Sequence, residues 1–485
     1  MFEVEESIAQ AQEKFNEMVR YVRQEGQSDD AYRAEVRLFR DVLALGRCLL
    51  GAWFAGKRGG DVGRAVVTQA GQVLPRERLK VRRFLSVFGE LELARCYYHQ
   101  DGSPGLFPLE EEANLPEETV SHFVQQLALG RTARMTYDEA IAELEELFGF
   151  TLRKETLQEM AARVAADADP YYESQGTPRP ETEGEILVAA ADGKGVPILK
   201  GEPAEHRVRL RKGEKHSRKK EAVVTAVYTL AAQPRTAEDV VHEVSDKQPP
   251  AKRPKPQNKR LRATLNGKED AFAWVRDEVA RRDPEGRKRR VCLTDAGTGL
   301  QRLALAMLGG FTLILDLFHA LEYLWKAAHV FHPEGSDEAE AFVRERLRML
   351  LKGRVGYVIG GLRQKLTKHR RRLRKPQQKI LQTVIGYYEA NRRWMHYHEY
   401  LAAGYPIGSG AAEGACRHLV KDRMEGSGMR WSLAGAEAIL KTRAVSLNGD
   451  WDRFWHFHMQ RDAQRRFGAR RWSPVVPSAA ERTAA

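Results

Sequence analysis

Residues 188–201, VAAADGKGVPILKG, decide how the chain is read. A run of small and β-branched side chains climbs to a lone carboxylate at Asp192, a glycine-containing stretch follows, and a second short apolar run leads away. Two strands joined by a tight turn fit this pattern. Asp192 is then either a turn residue, held by hydrogen bonds to its own backbone, or a ligand presented at the end of a strand. The stretch by itself leaves both readings open.

Outward from it the pattern is α/β. EILVAAAD, GVPILK, EAVVTAVYTL, RRVCLTD and FTLILDLF are five short apolar or β-branched runs, with the amphipathic DAFAWVRDEVARR between the third and the fourth. Three neighbouring strands, a fourth ending at Asp295 after a helix, and a fifth ending at Asp316 predict a mixed sheet with carboxylates at strand ends.

The flanks read as helical. Residues 4–56 carry apolar positions at helical spacing, and 80–99 reads as a β-hairpin about Phe88, Gly89 and Glu90. From Leu115 three helical pieces follow, with Thr136 and Thr151 placed as N-caps and Gly130 and Gly149 as stops. This is the outline of a helix-turn-helix with residues 151–164 in the recognition position, which makes Arg153 and Lys154 candidate DNA contacts; plain helix packing gives the same pattern. The expected division is 1–110 for helices and hairpin, 111–173 for the helix-turn-helix, and 174–185 for a linker. The α/β core takes 186–317 and 404–460, a helical insertion takes 318–403, and 471–485 is a disordered tail.

A chain of 485 residues holds several domains and a substantial core. Its net charge of +13 and pI near 9.5 favour a polyanionic partner, most simply nucleic acid. Basic runs at 206–220, 252–262, 287–290 and 363–375 surround the candidate core, and Lys215, Arg218 and Lys219 of the first are candidate phosphate contacts. The four cysteines, Cys48, Cys96, Cys292 and Cys416, have no CxxC spacing, so neither a zinc ribbon nor a disulfide framework is expected. The acidic, helical amino terminus lacks the apolar run of a secretory signal, and no stretch reaches the ~20 apolar residues of a membrane span. A cytoplasmic, nucleoid-associated protein without membrane contact is the expectation.

Asp192, Asp295 and Glu413 are the acids that a sheet-and-helix fold would present to one edge. Two divalent ions about 3.5–4 Å apart, held by such carboxylates, activate an attacking oxygen and stabilise the leaving one in phosphodiester displacement. Oxygen-only ligands suit Mg²⁺ or Mn²⁺. Each acid has a plainer reading: Asp192 and Asp295 suit turns, and Glu413 suits an ion pair with Arg417 one helical turn on.

VAAADGKGVPI, LTDAGTGLQ, LILDLFHALEYLW and YPIGSGAAEGACRHLVKDRMEGSGMRWS, in this order, resemble the blocks of the ISKra-type insertion-sequence transposases, relatives of the Mutator-like DDE transposases. The resemblance covers roughly 185–460. It implies a ribonuclease H-like mixed-sheet core with an all-α insertion, in which Asp192, Asp295 and Glu413 are the catalytic and metal-binding triad. It places Asp316 and His319 at the [C/D]xxH signature after the second aspartate, near the scissile phosphate, and Arg417, Lys421 and Arg430 near the substrate backbone. Asp316 alternatively caps the following helix. The implied activity is metal-dependent cleavage and strand transfer of double-stranded DNA, both transposon ends and target, with two Mg²⁺ or Mn²⁺ per site; relatives often carry a cysteine-bearing ribbon near the amino terminus, but the hairpin at 80–99 keeps only Cys96, so no zinc is expected. Two ends held together imply a homodimer or larger assembly. A ribonuclease H-like nuclease without strand transfer and a transposase-derived DNA-binding regulator are the alternatives.

Overall fold

In the computed structural model of the chain, residues 4–199, 201, 219–245, 253–295, 299–468 and 472–475 are described. Their strands are β1 (Ala65–Thr68), β2 (Val73–Ser86), β3 (Gly89–Tyr98), β4 (Ile186–Pro197), β5 (Lys219–Leu230), β6 (Gln257–Thr264), β7 (Arg289–Thr294), β8 (Thr312–Leu315) and β9 (Trp472–Pro474). The chain divides into one unit of Met1–Tyr171 with Asp450–Ala485 and a second of Tyr172–Gly449.

The second unit is built on a five-stranded mixed sheet in the order β6-β5-β4-β7-β8. β4 pairs antiparallel with β5 and parallel with β7, β5 pairs antiparallel with β6, and β7 pairs parallel with β8. The central strands are covered on both faces, which is why they read as unbroken apolar runs. Leu187, Ala189 and Ala191 of β4 pack with Val223, Cys292 and Leu313 against Phe272 and Val275 of the helix Lys268–Arg282. By strand alternation, Asp192 faces the other way, where the helix Gly410–Ala415 and the turns after it cover β4.

Two expectations about this sheet are corrected. The GKG stretch is not a turn, and GVPILK is not a separate second strand: β4 runs unbroken through Asp192 to Pro197, pairing with β5 throughout. Gly193 and Gly195 keep strand geometry, and the reason for glycine is room. A β-carbon on Gly193 would overlap the Glu221 carboxylate across the strand pair, and one on Gly195 would press on the Lys219 stem. The other correction is β6, which falls in the segment read as a basic run. Leu261 and Ala263 face the core, while Arg260 and Arg262 pair with Glu278 and Asp270. Charges on an outermost strand block further strand pairing.

Between β8 and Gly404 the chain is helical, with Leu317–Phe331, Asp337–Leu351, Val355–His369, Lys375–Asn391 and Tyr397–Ala402. Its tyrosines serve the core: Tyr388 and Tyr397 are buried and donate to the carbonyls of Ala320 and Leu315, at 2.6 and 2.9 Å.

The first unit pairs the helices Val4–Arg23 and Ala31–Gly56 and carries a four-stranded sheet in the order β3-β2-β1-β9. β2 and β3 form the expected hairpin, extended back to Arg76, and the first residues of β2 pair with β1. The expected disordered tail is corrected at 472–475, where β9 pairs with β1 and Trp472 packs on the buried cluster of Val66, Leu74, Cys96 and Tyr98. The unit boundary also differs from the expected core limit of 460. The helix Trp451–Phe467 belongs to the first unit, because Phe454 packs on Tyr171 and His458 meets Asp167 at 2.7 Å.

The helices His122–Thr132, Tyr137–Phe148 and Lys154–Ala165 pack on one another. Thr136 caps the second in a capping box, and Gly149 closes it in the left-handed conformation. Gly130 does not stop the first helix: it lies within it, its missing side chain accommodating the Trp451 ring. Thr151 is not the third cap, since that helix begins after Arg153.

His122 gives this unit a pH limit. Both its ring nitrogens are buried without hydrogen-bond partners, and burial pushes its pKa down to about 4, with Asp462 opposing and His458 and Arg466 adding to the fall. The folded state holds it neutral, so its contribution is complete above about 6.5 and is lost as the pH falls toward about 4. The loss is on the order of 3 kcal/mol. Urea midpoints measured across this range are expected to drop, and to drop less in His122→Leu.

Candidate metal centre

The parallel register brings three acids together. Ala191 is the last β4 residue aligned with β7, opposite Thr294, and Thr294 in turn is opposite Leu315 of β8. The next residue on each strand is Asp192, Asp295 and Asp316. Aligned residues of parallel strands share a face, so the three carboxylates leave the sheet on one side.

Asp192, Asp295 and His319 each offer a ligand atom within 4.8 Å of the others, and all three side chains are partly buried. Among the described residues no other group of three metal-ligating side chains is so close. Asp192 Oδ1 accepts the Gly193 N–H at 2.7 Å, and its carboxylate also takes the Cys416 thiol. Burial, then the charge of Asp192, pushes the Cys416 thiol far up, so it stays protonated as a donor.

Asp316 lies beneath this cluster, 1% exposed. Its Oδ1 caps the helix Leu317–Phe331 by accepting the Phe318 N–H at 2.7 Å, so the capping expectation is met. Its Oδ2 accepts the Ser409 N–H at 2.8 Å and the Ser409 hydroxyl. Burial works to raise its pKa, but His319 and these hydrogen bonds prevail and hold it below the usual carboxylate value.

His319 sits in the first turn of that helix, Nδ1 3.9 Å from Asp316 Oδ2. This is an ion-pair separation, and Nδ1 makes no hydrogen bond. The contact with Asp316 pushes the imidazole pKa up to about 9 against its burial, with Asp192 and Asp295 adding to the rise. The site thus concentrates enough negative charge to keep an imidazolium at neutral pH. Two carboxylates and an imidazole at these separations fit a divalent cation, which would take over that neutralising role.

Glu413 is not a member of the cluster; His319 stands there instead. Glu413 is exposed in the helix Gly410–Ala415, which starts at Ser409, and one turn further on Cys416 takes the buried position against Asp192. It is near enough to add to the rise of the Cys416 thiol. The Glu413–Arg417 pair is not formed, since Arg417 faces Asp422 at 3.9 Å. Arg417, Lys421 and Arg430 are exposed on the segment after Glu413. Lys219 is held by Glu425, together with Lys194, and Lys215 and Arg218 lie outside the described residues. In the recognition position Arg153 is exposed, whereas Lys154 is paired with Asp138 at 2.6 Å. The rest of that helix exposes Glu155, Gln158 and Glu159, an acidic face.

Sequence reasoning missed Ser409 and Cys416. Ser409 was visible only as the middle of a GSG turn, and Cys416 only as one of four scattered cysteines. It also missed the paired rings of Tyr323 and Tyr387, stacked with centroids 3.6 Å apart behind the site, where burial, then Tyr323 and Asp295, pushes the Tyr387 phenol up.

No protein-family model matches the chain, and no curated protein does. Among solved structures it is similar to a chain described as "Drosophila P element transposase strand transfer complex", at 11% identity and a TM-score of 0.24, over 75% of this chain and 85% of that one. Likeness at that level carries no weight beside the geometry. Among the described residues no helix is long and apolar enough to cross a membrane.

Proposed function

We propose that the chain is a DDE transposase of an insertion sequence, its mixed sheet a ribonuclease H-like catalytic core that cleaves and joins DNA strands. The observation that carries this reading is the convergence of Asp192 and Asp295, from neighbouring parallel strands, on His319. The strand order, three antiparallel strands continued by two parallel ones, supports the fold assignment, and the net charge of +13 supports a polyanionic substrate.

Asp192 and Asp295 would hold a divalent cation, Mg²⁺ or Mn²⁺, and a pair of such ions activates the attacking oxygen and stabilises the leaving one. His319 faces the same space, where it would contact a phosphate oxygen of the DNA or orient a group held by the metal. Asp316 positions His319 and, through Ser409, the helix that carries Glu413. Glu413 is the third carboxylate of this reading. Arg153, Arg417, Lys421 and Arg430 face the phosphodiester backbone, and two copies of the chain hold two DNA ends.

The test is a strand-transfer assay with linear DNA bearing the element's ends and Mg²⁺. Joined product is expected from the unaltered chain, and at least ~100-fold less from Glu413→Gln. Cut but unjoined DNA would make the protein a nuclease. A Glu413→Gln chain with unchanged rates would assign the third position to His319.

A further inference from the structure

From Arg346 to Tyr388 the sequence contains thirteen lysines and arginines and no aspartate or glutamate. Some of these cations have partners elsewhere: Arg346 pairs with Glu345, Arg348 and Lys352 with Glu238, and Arg363 with Glu389. Lys368, Arg370, Arg371, Arg372, Arg374 and Lys375 are exposed, and among the described residues none has a carboxylate partner. They crowd the turn between the helices Val355–His369 and Lys375–Asn391.

This turn is pinned. The Gln378 side-chain amide donates to the carbonyls of Arg370 and Leu373, both at 2.9 Å, and the Arg374 N–H donates to Gln377 Oε1 at 3.0 Å. Six like charges held this close repel one another, and nothing in the described fold offsets them. A surface of this kind is relieved by a dense polyanion.

We infer that this turn is a second DNA-backbone contact, separate from the metal centre, which grips duplex flanking the position that is cut. The inference rests on the DNA reading of the site and deepens it. The helix Lys375–Asn391 ties the two places together rigidly: Lys375 opens it, and Tyr387, twelve residues on, stacks on Tyr323 behind Asp295. At ~1.5 Å per residue that is a lever of about 18 Å. With a rise of ~3.4 Å per base pair, the turn meets phosphates about five base pairs from the acids.

The test is binding without metal, measured on a ~30-base-pair duplex from 50 to 300 mM salt. Three chains are compared: the unaltered one, one with all six cations changed to glutamine (K368Q, R370Q, R371Q, R372Q, R374Q, K375Q), and one with the four arginines changed to lysine. Each phosphate left without its cation lowers the slope of log affinity against log salt by ~0.9, so the glutamine chain is expected to show a slope shallower by about 3 to 5. The all-lysine chain keeps its charge and is expected to retain the slope, which separates charge from any disturbance of the turn. Cleavage of a duplex ending within about three base pairs of the cut is expected to be equal in the unaltered and glutamine chains. Equal slopes would overturn the inference while leaving the metal-centre reading intact. An unaltered chain that binds RNA or acidic protein but no duplex DNA would overturn both.

Discussion

Asp192→Asn and Asp295→Asn are each expected to lower DNA cleavage by at least ~10³-fold, about 4 kcal/mol of barrier, while leaving the fold at least as stable as before. Asparagine keeps the size of aspartate and one carbonyl oxygen, so position 192 can still accept the Gly193 N–H and the Cys416 thiol. What disappears is charge. Two carboxylates and a protonated imidazole stand within 4.8 Å, with a third carboxylate beneath them, and removing one negative charge relieves repulsion in the protein without its metal. Thermal midpoints equal to or above that of the unaltered chain, beside abolished cleavage, would locate the effect in chemistry and not in folding. The same variants are expected to lower the His319 pKa from about 9, because Asp192 and Asp295 both contribute to its rise. Without metal, the stability His319 contributes is complete below about 6.5 and is lost as the pH rises through about 9. Nuclear magnetic resonance titration of the imidazole in each variant reads this directly. Undiminished cleavage by either variant would remove the metal assignment.

Asp316→Ala acts through the fold. Its carboxylate ties the end of β8 to the start of the helix Gly410–Ala415, accepting from Phe318, from the Ser409 backbone and from the Ser409 hydroxyl. Alanine leaves those buried donors without an acceptor and leaves His319 facing a void. Breaking a buried, hydrogen-bonded charge in this way costs about 3–5 kcal/mol, measured as a fall in the urea midpoint at unchanged slope. Asp316→Asn retains one acceptor and is expected to lose about 1–3 kcal/mol. Cleavage should fall in both, because Ser409 no longer fixes the helix bearing Glu413 and Cys416. A surface-like loss below ~0.5 kcal/mol from Asp316→Ala would mean that the Ser409 link is not formed in solution.

How much of this was legible before the fold was known follows from what each residue touches. Asp192, Asp295 and Asp316 could be singled out because apolar runs that are buried on both faces announce their own ends, whereas His319 came only from the resemblance of residues 316–319 to the [C/D]xxH signature. The continuity of β4 through Gly193 and Gly195 could not, because it rests on backbone pairing with β5, which lies more than twenty residues on. β6 was hidden for a related reason: an edge strand carries charge on its outer positions, and those positions read as a solvated basic segment. The standing of Glu413 against His319 depends on how the helix after Ser409 is rotated, and that rotation is set by Asp316, far away in sequence. The tail strand β9 was invisible because its partner among the described residues, β1, lies at the other end of the chain.

The alignment of Asp192, Asp295 and Asp316 at one level also sets which changes of length the gene can tolerate. A strand has a period of two, so deleting one residue between Ile186 and Ala191 would turn the carboxylate of residue 192 through the sheet and into the layer of Phe272 and Val275. Adding or removing residues in the connections between strands leaves the phase of each acid untouched. Insertions within 186–191, 289–294 and 312–315 are therefore expected to disturb the site, as are those in the short turns that carry His319, Ser409 and Cys416, whereas the remainder of the intervals between the acids is free to drift. Distant relatives would then share the parity of these strands before they shared any spacing, and a scan of single-residue insertions would reveal these stretches as abrupt minima of activity.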